Sequence, residues 1–130
     1  RHHTGGTVGT PRFERGGTMW AADYVDLVQQ RQRLVRAMDA RMAALDALVL
    51  PTTPIVAPKL AEVAAPDDFG RKNALLLRNT APINFFDLCA ISLPMPRQNG
   101  LATGLMLVGR NGQDRHLFEI AAAVEKVLAE

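Results

Sequence analysis

The stretch AISLPMPRQNGLATGLMLVG, residues 90–109, decides the architecture of this chain. It contains two short apolar runs, Ala90–Leu93 and Thr103–Val108, separated by prolines and by the turn-forming sequence RQNG. Apolar runs that do not alternate with polar residues are typical of strands buried on both faces. Because proline lacks a backbone N–H, we expect Pro94 and Pro96 to end the first strand. The stretch therefore predicts two buried strands joined by a turn.

A third strand and a long helix are predicted upstream of this stretch. ALVL, residues 47–50, is a similar apolar run that Pro51 ends. Before it, a helix is expected from Trp20 to about Ala47, capped by Thr18 and interrupted on its apolar side by Arg31. At 1.5 Å per residue such a helix spans roughly 40 Å, more than a small domain can easily cover. Its apolar stripe comprises Tyr24, Leu27, Val28, Leu34, Val35, Met38, Met42 and Leu45.

The remaining segments complete an α/β pattern. Residues 55–70 contain two prolines and an acidic pair, which predicts a surface loop. Short helical turns are expected at Arg71–Leu77, interrupted by Pro82, and at Phe85–Leu88. Asp114 is expected to cap a final helix. The inner face of that helix would carry Leu117, Ile120, Ala121, Val124 and Leu128. The predicted fold is thus a few strands of a sheet flanked by long helices.

Composition and charge exclude several classes of function. Lys and Arg number 15 against 13 Asp and Glu, a net charge of +2 that argues against a nucleic-acid partner. No apolar run reaches the roughly 18 residues of a membrane span, so no membrane association is expected. A single cysteine cannot form an internal disulfide, which is compatible with a cytoplasmic protein. The three histidines lack metal-binding spacings, and we expect neither a metal nor a cofactor.

The chain has one serine and one cysteine, three residues apart, and neither stands in a recognisable catalytic motif. Ser92 lies in AISLP, without the flanking glycines of a nucleophile elbow, and is interpreted as a strand residue with a structural hydrogen bond. Cys89 has no cation beside it in sequence to lower its pKa, and is interpreted as a buried structural thiol. A small cysteine enzyme that uses Cys89 remains as an alternative hypothesis.

Three segments taken in order resemble the C-terminal portion of amidase signature enzymes. They are LDALVLPTTPIVAP (residues 45–58), LRNTAPINFFDLCAISLP (residues 77–94) and GLATGLMLVGRNGQDRHLFEIAAAVEKVL (residues 100–128). The departures from the family pattern are Asp87 in place of glycine, Cys89 in place of proline, Ala102–Thr103 in place of a proline-containing pair, and Met106 in place of glutamine. The matching residues are Pro51, Thr52, Pro54, Thr80, Asn84, Ala90, Ser92, Pro94, Gly100, Leu101, Gly104, Leu105, Leu107, Val108, Gly109 and Glu125.

The resemblance implies an amide hydrolase whose catalytic residues lie outside this chain. Such enzymes use a Ser–cis-Ser–Lys triad, and Ser92 alone cannot provide two serines. The chain would then be inactive by itself and would contribute to the wall of a pocket for a small-molecule amide. Its strands would join one edge of a large mixed sheet. The residues expected to line the pocket are Thr52, Thr53, Pro54, Thr80 and Asn84.

Two questions about the organisation of the chain stay open at this stage. Residues 1–17 are expected to be a flexible arm or a vector remnant, and residues 18–130 the C-terminal segment of an amidase domain. If the missing N-terminal part normally covers the apolar faces, we expect the chain alone to self-associate. The alternative to an amidase segment is a stand-alone binding or assembly module that uses the same fold.

Overall fold

The computed structural model describes residues 16–98 and 100–129 of the chain, so the predicted arm at residues 1–17 lies almost wholly outside the described residues. The chain divides into two compact units, one that ends at Arg33 and one that begins at Leu34. The predicted α/β class, with few strands flanked by helices, is confirmed. The elements are α1 (Ala21–Met42), β1 (Leu48–Pro51), a 3-10 turn (Leu60–Val63), α2 (Pro66–Leu77), α3 (Thr80–Phe85), β2 (Cys89–Gln98), β3 (Leu101–Gly109) and α4 (Asp114–Leu128).

The three strands form an antiparallel sheet with β3 in the centre, in the order β1–β3–β2. The end of β3 is buried on both faces, as predicted, because Met106 to Gly109 are all buried. The same prediction is wrong for β1, in which partly buried and exposed residues alternate, and for β2, in which Ala90, Ser92 and Pro94 are exposed. Val49 is 54% exposed because α4 packs against β2 and β3, while β1 lies beyond its cover.

A separate apolar cluster covers each face of the sheet. On one face, Leu93 and Leu107 pack against Leu117 and Ala121 of α4. On the other face, Met106 and Val108 pack against Ile83 of α3. Since neighbouring residues of β3 point to opposite faces, this strand contributes to both clusters. The predicted inner face of the last helix is confirmed, because Ile120, Val124 and Leu128 also pack on the first cluster.

The prediction that Pro94 and Pro96 end the second strand is wrong, because β2 continues to Gln98 with an irregularity between Met95 and Gln98. The reason lies in the direction of the backbone groups. Thr52 N–H donates to the Gly104 carbonyl at 2.9 Å, so the even-numbered residues of β3 direct their hydrogen bonds toward β1. Leu105 therefore bonds Leu93 of β2, and the backbone nitrogen of Pro94 faces away from β3. The N–H that proline lacks would not have bonded β3 in any case. Proline is tolerated in an edge strand in this orientation.

The long helix is shorter than predicted at both ends. It begins at Ala21, so Thr18 does not lie at its N-cap position, and it ends at Met42 rather than Ala47. Beyond Met42, the amides of Ala43 and Leu45 bond carbonyls three residues back, which tightens the chain into a turn before β1. Met42 is fully buried, whereas much of the predicted apolar stripe is exposed to solvent.

The predicted surface loop at residues 55–70 contains more helix than expected. Pro66 occupies the first position of α2, and Asp67 and Asp68 lie in its first turn, where carboxylates favour a helix N-terminus. The helical turns predicted at Arg71–Leu77 and Phe85–Leu88 are instead the second half of α2 and a helix that begins at Thr80.

Two details of the helix ends also differ from the predictions. Pro82 lies inside the first turn of α3, where its missing N–H breaks no helical bond. The expected capping role of Asp114 is wrong, because Gln113 holds the N-cap position of α4 without a side-chain hydrogen bond and Asp114 is the first helical residue.

A bidentate ion pair joins α1 to the segment that follows β3. Arg110 Nε donates to Asp39 Oδ1 at 2.9 Å, and Arg110 Nη2 donates to Asp39 Oδ2 at 2.8 Å. The hydrogen bond from Arg110 lowers the pKa of the Asp39 carboxyl, and the same pair raises the pKa of Arg110. The two residues are 71 positions apart, so the ion pair links distant parts of the second unit.

We expect Asp39→Asn to lower the stability of the chain at pH 7, because the variant keeps one acceptor but loses the charge that Arg110 bonds. The pKa of Asp39 is lower in the folded chain than in the unfolded chain. The contribution of its carboxylate to the free energy of unfolding is therefore present above the unfolded pKa of about 3.9, and it is lost as the pH falls through the folded pKa. Urea unfolding at pH 7 and at about pH 3 measures this. The midpoints of the two proteins should differ at pH 7 and converge at the acid end; an equal gap at both pH values would contradict the expectation.

Candidate functional site

The candidate site is centred on a hydrogen bond between two hydroxyl groups at one end of the sheet. The Oγ1 atom of Thr52, directly after β1, lies 2.5 Å from the Oγ atom of Ser92 on β2. The two residues flank β3 from opposite sides and are 40 positions apart in sequence. Because both residues are accessible to solvent, the hydroxyl that accepts this bond keeps an O–H with which to bond a ligand.

This contact requires Gly104. A Cβ atom at residue 104 would lie 2.5 Å from Ser92 Oγ and 2.7 Å from Thr52 Oγ1, closer than side chains can approach. The backbone at the same point ties the segments together, because Thr52 N–H donates to the Gly104 carbonyl. The glycine therefore leaves the space in which the two hydroxyls meet across the central strand.

The structure places the predicted pocket residues around this contact in two groups. Thr52 and Thr53 line a shallow hollow that also contains Ser92 and Gly104. Pro54, with Thr53, lines a neighbouring and mainly apolar hollow of about 230 Å³. That hollow also contains Ile55, Val56, Met95, Thr103 and Leu105.

The second group lies on α3. Thr80 and Asn84 line a separate hollow of about 230 Å³ on the face of the sheet that α3 covers. They lie on α3, which begins at Thr80, whereas the sequence pattern predicted a helical turn that begins only at Phe85. Ser92 is the residue that lines both the α3 hollow and the hollow beside Thr52. The serine therefore connects the two predicted groups.

Asn79 is a site residue that the sequence analysis missed. Its Nδ2 donates to the Pro51 carbonyl at 2.8 Å, joining the start of α3 to the end of β1. Pro51 shares the orientation of Val49, so this carbonyl points away from β3. Asn79 thus fixes the Thr52 segment from the side opposite to Gly104. The motif RNT contains an amide next to Thr80, but nothing in the sequence indicates its partner 28 residues earlier.

The family comparison explains why these segments occur together. The model of the amidase family matches residues 1–118. The chain belongs to the amidase family. This confirms the resemblance that the three sequence segments indicated.

Relatives of this amidase chain are enzymes about four times its length. It is 29% identical to the A subunit of glutamyl-tRNA(Gln) amidotransferase from Thermotoga maritima, covering 92% of this chain and 24% of the relative. It is 31% identical to 2-amino-5-chloromuconic acid deaminase of Comamonas testosteroni, covering 89% and 26%. It is 33% identical to fatty acid amide hydrolase of Medicago truncatula, covering 85% and 19%. The chain therefore spans about a quarter of the length of the curated relatives that it matches.

Solved structures give the same family for this fold. A crystal structure of an amidase superimposes with a TM-score of 0.72 at 27% identity, covering 88% of this chain and 27% of that one. The crystal structure of the Thermotoga maritima amidotransferase protein named above superimposes with a TM-score of 0.65 at 27% identity, covering 95% and 28%. The three-stranded sheet and its helices are thus an arrangement that occurs within amidases.

The two nucleophile candidates of the amidase chain both form structural hydrogen bonds. The bond predicted for Ser92 is confirmed, but the burial predicted for the strand Ala90–Leu93 does not hold at this residue, which is exposed. Cys89 is half-buried, and its thiol donates to the Arg110 carbonyl at 3.1 Å. Burial, followed by the nearby charge of Asp114, raises the pKa of the Cys89 thiol. A raised pKa disfavours the thiolate, which argues against the cysteine-enzyme alternative.

The described part of the amidase chain lacks both a metal-binding cluster and a membrane-spanning helix. Among residues 16–98 and 100–129, no group of three or more His, Cys, Asp and Glu side chains is arranged to hold a metal ion. Over the same residues, every helix is too short or too polar to cross a bilayer.

We expect Gly104→Ala to destabilise the amidase chain by about 1–3 kcal/mol, because the new methyl group overlaps both hydroxyls. Gly70→Ala is the matched control: it lies inside α2 with open space around it, and alanine should stabilise that helix by about 0.4–1 kcal/mol. Chemical denaturation measures both. In a Ser92→Ala background the cost of Gly104→Ala should fall, because the nearest atom is gone; an unchanged cost would contradict the proposed clash.

We expect the Cys89 thiol to react slowly with a neutral alkylating reagent at pH 7.5, because its raised pKa leaves little thiolate. The same chain unfolded in urea should label at the rate of an ordinary cysteine, and this serves as the control. Labelling followed by mass spectrometry measures the two rates. Native labelling as fast as that of the unfolded chain would revive the cysteine-enzyme hypothesis.

Proposed function

We propose that this chain is the C-terminal segment of an amidase that hydrolyses a carboxamide to a carboxylate and ammonia or an amine. The observation that carries the proposal is the family match over residues 1–118 by a chain that spans about a quarter of its relatives. Those relatives include a fatty acid amide hydrolase, a deaminase and the A subunit of an amidotransferase, whose names all refer to amide or amino groups. We take amide hydrolysis from the amidase family match and from the fatty acid amide hydrolase among these relatives.

The same proposal makes the chain inactive by itself. The Ser–cis-Ser–Lys triad implied by the family needs two serines, and Ser92 is the one serine of the chain. The hydrogen-bond partner of Ser92 is the Thr52 hydroxyl, which cannot serve as a general base at neutral pH. The attacking serine, the bridging serine and the lysine would therefore come from the preceding part of the enzyme.

The role that we assign to this chain is to form part of the wall of the substrate pocket. Thr52, Thr53, Thr80 and Asn84 offer hydroxyl and amide groups that can bond the polar end of an amide substrate. Pro54 and its neighbours offer an apolar hollow of a size suited to a short acyl or alkyl group. The apolar hollow is lined by Gly104 of β3, and the hollow beside Thr80 and Asn84 is lined by Ser92 of β2. One end of the sheet would therefore present both the apolar and the polar surface.

The partner implied by this function is the remainder of the amidase, with residues 18–130 as its C-terminal segment. Residues 1–17 would then be an arm of the natural protein; the family match from residue 1 favours this interpretation over a vector remnant. The second candidate is a stand-alone binding or assembly module, which the exposed apolar residues of α1 favour. The two candidates differ in whether an upstream sequence supplies the triad.

Ammonia release from acetamide, butyramide, benzamide and glutamine tests the proposal. The 130-residue chain should release no more ammonia than buffer, whereas the product of the complete reading frame should hydrolyse at least one amide. In that product, Thr52→Val should raise KM by about 2- to 10-fold by removing one hydrogen bond near the substrate. Val56→Ala, on the apolar side, is the control and should affect substrates with bulky acyl groups only.

Two outcomes would count against this function. Hydrolysis by the 130-residue chain that disappears in Ser92→Ala would place the nucleophile in this chain. An initiator codon directly before Arg1, with no upstream serines and lysine in frame, would favour the assembly module.

A further inference from the structure

The three hollows at the candidate site share one property, which is that the residues lining them are uncharged. In the chain as a whole, 22% of the residues are Asp, Glu, Lys or Arg. Among the residues that the structure shows lining the three hollows, there is neither one of these nor a histidine. The lining residues belong to the segments 51–56, 80–84, 90–95 and 102–106, which we call the uncharged wall.

Burial does not explain the composition of the uncharged wall. Thr53, Ser92 and Pro94 are exposed to solvent, and exposed positions commonly carry charged side chains. Elsewhere in the same unit, the exposed face of α4 carries the charged side chains of Arg115 and Glu119. The wall is therefore open to a ligand without offering it a charge.

The polar groups of the wall are neutral hydrogen-bonding groups. One O–H of the Thr52–Ser92 pair remains to donate after the bond between the two hydroxyls, and Asn84 adds a side-chain amide in the α3 hollow. Such groups can bond a carbonyl, a hydroxyl or an amide of a ligand. A carboxylate or an ammonium that leaves water needs an opposite charge or several hydrogen bonds, and without them its transfer is strongly unfavourable.

Two charged residues flank α3 without lining the wall. Arg78 precedes the helix, and its Nε donates to the side-chain oxygen of Asn79 at 3.4 Å. Asp87 follows the helix. Neither residue lines any of the three hollows. A charged group seated against the wall would therefore find no oppositely charged partner among the described lining residues.

We propose that the acyl group seated against this wall is uncharged, so that the amidase prefers neutral amides to amides whose acyl group carries a carboxylate or an ammonium. The selectivity comes from exclusion, because a charged group loses its hydration at the wall without gaining a partner, whereas a neutral group loses little. This inference rests on the proposed function, because it needs the wall to face the substrate.

Two pairs of primary amides of similar size test the selectivity in the product of the complete reading frame. Butyramide has a methyl group where β-alaninamide has an ammonium, and 4-oxopentanamide has a methyl group where succinamate has a carboxylate oxygen. Ammonia release at pH 7 should give a kcat/KM at least about 30-fold higher for the neutral member of each pair.

The variant Val56→Lys tests whether the wall itself sets this selectivity. Val56 is 40% exposed and lines the apolar hollow, so a lysine there can keep its ammonium partly in water and pair with a carboxylate in the hollow. The kcat/KM for succinamate should rise about 3- to 10-fold, and the gain should shrink at high salt. The kcat/KM for β-alaninamide should not rise, because the added charge repels its ammonium.

Two variants control for size and for total charge. Val56→Met adds length at the same position without a charge. Val127→Lys adds the same charge at a position of α4 that is 70% exposed and outside the three hollows. Neither variant should raise the kcat/KM for succinamate. Thr53→Lys, at an exposed residue that lines two of the hollows, provides a second test position should Val56→Lys fail to fold.

The outcomes separate this inference from the proposed function. Hydrolysis of no amide by the complete product would overturn the amidase function, and this inference would fall with it. Equal kcat/KM values for the charged and neutral members of the pairs would overturn the inference alone and leave the amidase function intact. A lysine variant with unchanged far-UV circular dichroism and the preference of the unmodified enzyme would show that the wall does not set the selectivity.

Discussion

Three chain segments meet at Gly104, and they can meet there because that residue has no side chain. The hydroxyls of Thr52 and Ser92 occupy the space where a Cβ atom would lie. The Gly104 carbonyl accepts the Thr52 amide, so the segment after β1 is fixed by its backbone and its side chain at once. Asn79 holds the same segment from the other side through the Pro51 carbonyl. The candidate pocket therefore depends on a steric constraint at one residue of the central strand.

The central strand also couples the two apolar clusters of the second unit. Leu107 belongs to the cluster under α4, and Met106 and Val108 belong to the cluster under α3. A shift of β3 along its axis would disturb both clusters and would move Gly104 out of the space between Thr52 and Ser92. Packing in the core and geometry at the pocket end are thus set by the same strand register, since close-packed interiors transmit such displacements.

The sequence predicted the type of the main elements but not the contacts among them. Apolar runs at Ala90–Leu93 and Thr103–Val108 indicated strands, because apolar composition is a local property of the sequence, but burial on both faces holds for the end of β3 and not for β2, in which Ala90 and Ser92 are exposed. The orientation of Pro94 depends on pairing with β3, so its place inside a strand could not be read from the prolines alone. In the same way, Thr52 and Ser92 matched the family motifs as separate residues. The two residues are 40 positions apart, and no local sequence pattern indicates that they are in contact.

The orientation of Pro94 has a consequence for how this sheet can be extended. An added strand bonds an edge through outward N–H and carbonyl groups, and Pro94 offers that side of β2 a carbonyl only. On β1 the outward groups of Val49 are a complete donor and acceptor pair, whereas Pro51 has no N–H and Asn79 already occupies its carbonyl. Both prolines lie at the end of the sheet that carries Gly104, since Pro51 is paired with Leu105 and Pro94 with Gly104. A further strand can therefore pair with β1 only ahead of Pro51, and with β2 through Ala90 and Ser92, ahead of Pro94.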